Sequence, residues 1–163
     1  MTVNATVNGT ETTLSTGEPD LARALRAAGY MGVKCGSETG ECGASTVLVD
    51  GSPVPAQSLA VEEVDGKEIE TISALGTQDD LHPIQQAFVD HFAVQCGFCI
   101  PGMIMRSKAL LSENPDPSES EVREALDHHV CRCTGYQKPV EAVLDAADRM
   151  SSRAVADGGE RND

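Results

Sequence analysis

VQCGFCIPGM, residues 94–103, and CRCTGYQKPVEAV, residues 131–143, together hold four of the six cysteines of this 163-residue chain. The spacing is Cys96-x-x-Cys99, then 31 residues, then Cys131-x-Cys133. Cys-x-x-Cys is a natural chelating pair, whereas Cys-x-Cys is tighter and needs a turn at a helix start to aim both sulfurs one way. Four thiolates suit either a tetrahedral zinc or two tetrahedral irons bridged by sulfide. Each pair directly precedes a stretch of helical periodicity. Two helix N-termini would then point free N–H groups and partial positive charge at an anionic centre. Cysteines that serve only as small buried hydrophobes have no reason to gather in two close pairs.

Around these words the apolar residues recur at helical spacing: Ile84, Phe88 and Phe92; Met103 to Leu111; Val122 to Leu126; Val140 to Ala147. Ser118 with Glu121 forms a capping box, and NPDP separates two of the helices. Residues 79–150 are therefore expected to be a helical domain of four short helices, and residues 151–163 a flexible tail. Residues 1–78 have another texture. TVNATV alternates like a strand, Asn8-Gly9 is a two-residue hairpin signal, and TETTL returns. Asp20 caps a helix over LARALRAAG that Gly29 ends; STVLVDGSPV reads as strand, turn, strand, and KEIETI as a further strand. The fold class is thus α+β: a small mixed sheet with one helix, then a helical half.

Composition narrows the partners. Twelve basic and 26 acidic residues leave a net charge of −14, scattered along the chain. That excludes nucleic acid and anionic membrane surfaces as partners, since both require Lys/Arg patches. It suits a salt-rich, halophilic cytoplasm, where screening removes self-repulsion. The N-terminus lacks the basic region and apolar run of a secretory signal, and no stretch approaches a membrane helix. A cytoplasmic location keeps thiols reduced, so clustered cysteines there more often bind metal than form disulfides.

The two cysteine words with their flanks resemble the small iron–sulfur subunit of the molybdenum hydroxylases, the group of xanthine dehydrogenase, aldehyde oxidase and carbon monoxide dehydrogenase. The resemblance covers about residues 2 to 150. It implies an N-terminal β-grasp, plant-ferredoxin-like domain followed by a four-helix [2Fe–2S]-binding domain. It further implies that Cys96, Cys99, Cys131 and Cys133 ligate the cluster nearest the molybdenum cofactor and that Gln95 touches the pterin. Gly97, Pro101, Gly102, Gly135 and Tyr136 match shape-setting positions. His129 stands where that family often has Asn and is expected to be a solvated polar residue; His82, His91 and His128 have no motif around them. The function implied is electron transfer within an oxidoreductase complex, with molybdopterin on a large subunit, FAD on another, and no catalytic residue or substrate site on this chain. The alternative is a non-redox scaffold subunit whose four cysteines hold a structural metal.

The same resemblance exposes a departure. In the family the N-terminal loop reads roughly Lys-x-Gly-Cys-x-x-Gly-x-Cys-Gly-Ala-Cys-Thr-Val, with a fourth Cys after the next hairpin. Here the matching loop runs from Lys34 to Val47, with Ser37 and Ser45 at the first and third ligand positions and Gln57 near the fourth. Only Cys42 survives; Cys35 falls at a variable position. A serine alkoxide is far costlier than a thiolate at neutral pH, so the resemblance implies one cluster rather than two, and a longer final hop towards flavin. Cys35 and Cys42 could instead pair with each other, which a reduced cytosol disfavours.

Overall fold

The computed structural model describes residues 1–158. β1 (Thr2–Val7) and β2 (Thr10–Ser15) form an antiparallel hairpin. Asn8 and Gly9 supply the two left-handed residues of its turn, at φ 52° and 76°. α1 (Leu21–Ala27) follows, with the Asp20 carboxylate accepting from the Arg23 N–H at 2.9 Å. A second hairpin, β3 (Thr46–Val49) and β4 (Ser52–Pro55), turns at Asp50-Gly51 in the same conformation. β5 (Glu68–Glu70) pairs parallel to β1 and antiparallel to β3, giving the sheet order β2-β1-β5-β3-β4.

The helical half comprises α2 (Pro83–Asp90), α3 (Ile100–Glu113), α4 (Glu119–Leu126) and α5 (Gln137–Gly158). α4 starts at the capping box: the Ser118 N–H donates to the Glu121 carboxylate at 2.7 Å while the Ser118 hydroxyl accepts from the Glu121 N–H at 3.3 Å. α5 runs on through residues 151–158, into the segment read as a tail. Residues 159–163 lie outside the described residues. One expectation needs correction. Phe92, read as the third apolar residue of a helical stripe, lies beyond the end of α2 and faces solvent.

β3 shows how the halves join. β1 alternates exposed and buried, as a strand with one wet face should, but all four residues of β3 are buried. Val47 and Val49 enter the N-terminal core with Leu21, Leu25 and Ile69. Leu48 enters the other core, with Phe88, Met103, Leu126 and Val143. One short strand thus contributes to both cores, and α3 packs across it. A Lys108–Glu70 ion pair bridges the same junction.

Candidate metal centre

Local structure aims the cysteines. Cys99 is the N-cap of α3, where Pro101 suits the first turn because it has no N–H to leave unpaired. Gly97 just before it adopts φ 79°. The second motif ends in another tight turn, with Gly135 at φ 65° and Tyr136 at φ 67°, before α5 begins at Gln137. Both motifs therefore lead into helix N-termini.

The two motifs meet in space. The Cys131 side chain acts on the Cys99 thiol and that of Cys96 on the Cys133 thiol, and the Gln95 amide of the first motif donates to the Cys133 carbonyl at 2.9 Å, so the two motifs lie side by side. Among the described residues no three His, Cys, Asp or Glu side chains close on a single point. A dinuclear centre needs two thiolates on each iron, and this arrangement offers two pairs.

The pairs differ in depth. Cys99 is buried, Cys131 half-buried, and Cys96 and Cys133 exposed. Burial first, then the hydrogen bond with Cys131, pushes the Cys99 thiol up to about 12. Burial also works upward on Cys131, but the Thr134 hydroxyl 3.1 Å from its sulfur, backbone N–H groups and Cys99 outweigh it, and its pKa falls below the usual range. The hydrogen bond with Cys96 raises Cys133. In the inner pair the Cys99 sulfur holds a proton for Cys131. A cationic iron centre would replace that proton, so the donor set fits the group. All six cysteines are free thiols.

Further groups brace the site. Gln95 is exposed, and its amide donates to the Cys133 carbonyl at 2.9 Å, tying the first motif to the second. The Tyr136 hydroxyl accepts from the Cys131 N–H and donates to the His129 carbonyl, both at 2.8 Å. Tyr136→Phe leaves these two backbone groups unpaired. It is expected to destabilise the chain by about 1–3 kcal/mol and to speed loss of iron to a chelator; urea unfolding and chelator kinetics check both.

His129 departs from expectation. It is 2% exposed, and its Nε2 lies 3.2 Å from the Thr46 hydroxyl, which itself donates to the Gly43 carbonyl at 2.8 Å. Burial first, then the nearby Arg106 charge, depresses its pKa to about 4. The reason lies in the N-terminal loop, which covers it: the Val130 N–H donates to the Cys42 carbonyl at 3.0 Å, and a Cβ on Gly43 would sit 2.7 Å from the His129 ring. Sequence periodicity could not reveal a contact between residues 83 positions apart.

Of the other three histidines, two are bonded to neighbouring groups. His82 caps α2, accepting from the Ile84 N–H at 3.2 Å. His91 lies 3.0 Å from the Asp145 carboxylate, and His128 lines a cleft of about 130 Å³ beside Gly43 and Arg106.

In that loop Ser37, Ser45 and Gln57 are tied in by hydrogen bonds. The Gly40 N–H donates to the Ser37 hydroxyl at 3.0 Å, and the Gln57 N–H to the Ser45 hydroxyl at 3.3 Å. The buried Gln57 carboxamide donates to the Ser37 carbonyl. The Cys42 sulfur lies against Gly36 nearby, and Cys35 packs on the N-terminal core.

Residues 71–144 match the family described as "[2Fe-2S] binding domain". The chain is 39% identical over 155 residues to the nicotinate dehydrogenase small FeS subunit of Eubacterium barkeri, covering 93% of this chain and 98% of that one. It is 47% identical over 147 residues to an aldehyde oxidoreductase of Megalodesulfovibrio gigas; the match takes in 87% of this chain but spans only 16% of that longer protein. Its structure resembles a chain of quinoline 2-oxidoreductase from Pseudomonas putida 86, with TM-score 0.87 and 39% identity, over 94% of this chain and 96% of that one. A non-redox scaffold with a structural four-cysteine metal is not favoured by these relatives. The chain belongs to the [2Fe–2S] iron–sulfur subunits of the molybdenum hydroxylases.

Proposed function

We propose that Cys96, Cys99, Cys131 and Cys133 hold one [2Fe–2S] cluster through which electrons leave a molybdopterin-carrying large subunit. The juxtaposition of the two cysteine motifs across a 31-residue separation carries this reading, the Gln95 amide of the first bonded to the Cys133 carbonyl of the second. When bound, the cluster supplies a one-electron redox couple. The chain's own residues set its surroundings. Cys99 and Cys131 anchor it inward, Cys96 and Cys133 lie at the protein edge, and Gln95 beside them faces the molybdenum cofactor. The arrangement divides into residues 1–78, 79–150 and the remainder, with electron traffic confined to the second.

The N-terminal loop is read as a former cluster site now held together by hydrogen bonds. Ser37 accepts from Gly40, Ser45 accepts from the Gln57 N–H, and the Gln57 amide donates to the Ser37 carbonyl where thiolates would have faced a metal. An FAD-binding subunit belongs to the same proposal, with its electrons arriving over a longer hop or an alternative acceptor docking near the remaining cluster. A reducing, salt-rich cytoplasm fits six free thiols and a charge of −14. No helix among the described residues is long and apolar enough to cross a membrane.

The test is metal analysis of the purified complex together with the reduced-state EPR signal. One cluster gives two irons and two acid-labile sulfides per copy of this chain, and one dithionite-reducible signal. Four irons on this chain, or a colourless zinc-loaded one, would refute the proposal.

A further inference from the structure

The chain ends two helices in the same way with different residues. After α1, the Gly29 N–H donates to the Arg26 carbonyl and the Tyr30 N–H to the Leu25 carbonyl, both at 3.0 Å, with Gly29 left-handed at φ 100°. After α2, the Phe92 N–H donates to the Val89 carbonyl at 3.0 Å and the Ala93 N–H to the Phe88 carbonyl at 2.9 Å. This is the same helix stop, with Phe92 left-handed at φ 53°. Glycine takes that conformation freely, whereas a bulky side chain there is strained. The ring recovers nothing inside the chain, since Phe92 is 84% exposed. Strain and exposure fall on one residue, and neither is offset within the subunit.

The run of chain that follows leads to the cluster edge. From Phe92 to Met105 no side chain is charged, on a polypeptide of net charge −14. Val94 and Phe98 are exposed on either side of the exposed Cys96, and Val130 is exposed just before Cys131. Large apolar groups gathered on an acidic surface mark a contact site. We infer that Phe92 is an aromatic anchor by which this chain docks on the molybdopterin-carrying subunit, its ring entering an apolar pocket there. The inference rests on the proposed function, because the uncharged run leads along the chain from Phe92 to the exposed Cys96, at the edge through which electrons must enter. The size of the partner fits as well: in the Megalodesulfovibrio gigas relative the matching segment is 16% of one long chain, so the unit there belongs to a much larger body. A second copy of this chain on the same face would screen Cys96 and Cys133 from any electron donor. Aromatic residues are enriched in such contacts and dominate their energetics.

Phe92→Gly in the co-purified complex tests the anchor. The variant is expected to leave the large subunit at least about tenfold faster than the wild type in subunit-exchange measurements. The free full-length variant should melt at a higher temperature than the wild-type chain, because glycine relieves the strained turn. A merely structural role would lower the melting temperature instead. Exchange at the wild-type rate, in chains that keep their visible absorption, overturns the anchor alone, and so does a change confined to self-association. Colourless wild-type and variant chains overturn the cluster reading and the anchor with it.

Discussion

Cys99→Ala is expected to abolish the visible absorption and the reduced-state EPR signal of the complex while leaving the large subunit's own cofactor reducible by substrate. Removal of one thiolate leaves one iron with a single protein ligand, and among the described residues no His, Asp or Glu gathers with the remaining sulfurs to replace it. Substitutions that merely orient a ligand cost about 10–100-fold in metal affinity, so loss of the ligand itself should cost at least about 100-fold. Cys131→Ala should behave alike, because the Cys131 side chain acts on the Cys99 thiol. Cys42→Ala supplies the contrast. Its sulfur lies in the loop where Ser37, Ser45 and Gln57 are bonded to one another, and its loss should leave iron and sulfide content unchanged. Loss of colour in Cys42→Ala would mean that the N-terminal loop still holds metal.

Gly102→Ala is expected to be the most damaging single methyl in the molecule. Gly102 lies in the first turns of α3, and a Cβ there would come within 2.2 Å of the Gly43 carbonyl oxygen and 3.1 Å of the Ala44 Cα. Both obstacles are backbone, so no side chain can swing aside. Overpacking of this kind costs about 3 kcal/mol, which for a chain of this size lowers the melting temperature by about 6–12 °C. Displacing Gly43 also disturbs the Thr46 and His129 contacts behind it. Gly66→Ala is the control. Gly66 has φ 72° but nothing within 4 Å of its missing Cβ, so its cost is conformational alone, about 1 kcal/mol. Thermal melts of the two variants beside the wild type separate contact from conformation; equal losses would contradict the tight seam.

Most of the secondary structure was legible because its signals are local. Asn8-Gly9 and Asp50-Gly51 announce hairpins, Asp20 and Ser118 announce helix starts, and the spacing of Ile84 and Phe88 gives α2. The proposed metal centre was legible for a different reason: two chelating pairs so close to helix starts are improbable unless they serve one site. What could not be read depends on partners distant in sequence. His129 looked solvated because nothing near it in sequence reveals that Gly43 and Thr46 will cover it. Gln57 looked like a bare substitution, yet it is the cross-link that holds Ser37 and Ser45 together. Phe92 fitted a helical stripe by spacing, but the helix had already stopped at the hydrogen bond from Ala93 to Phe88.

The double burial of β3 bears on how such chains can diverge. With Leu48 in one core and its neighbours Val47 and Val49 in the other, the halves are not cassettes to be swapped between genes. On the proposed reading a lineage can discard the iron of the first half and keep working, since serines and a glutamine close the gap. It cannot discard the half itself, because the helices that follow the cysteine motifs would lose the wall they are built against.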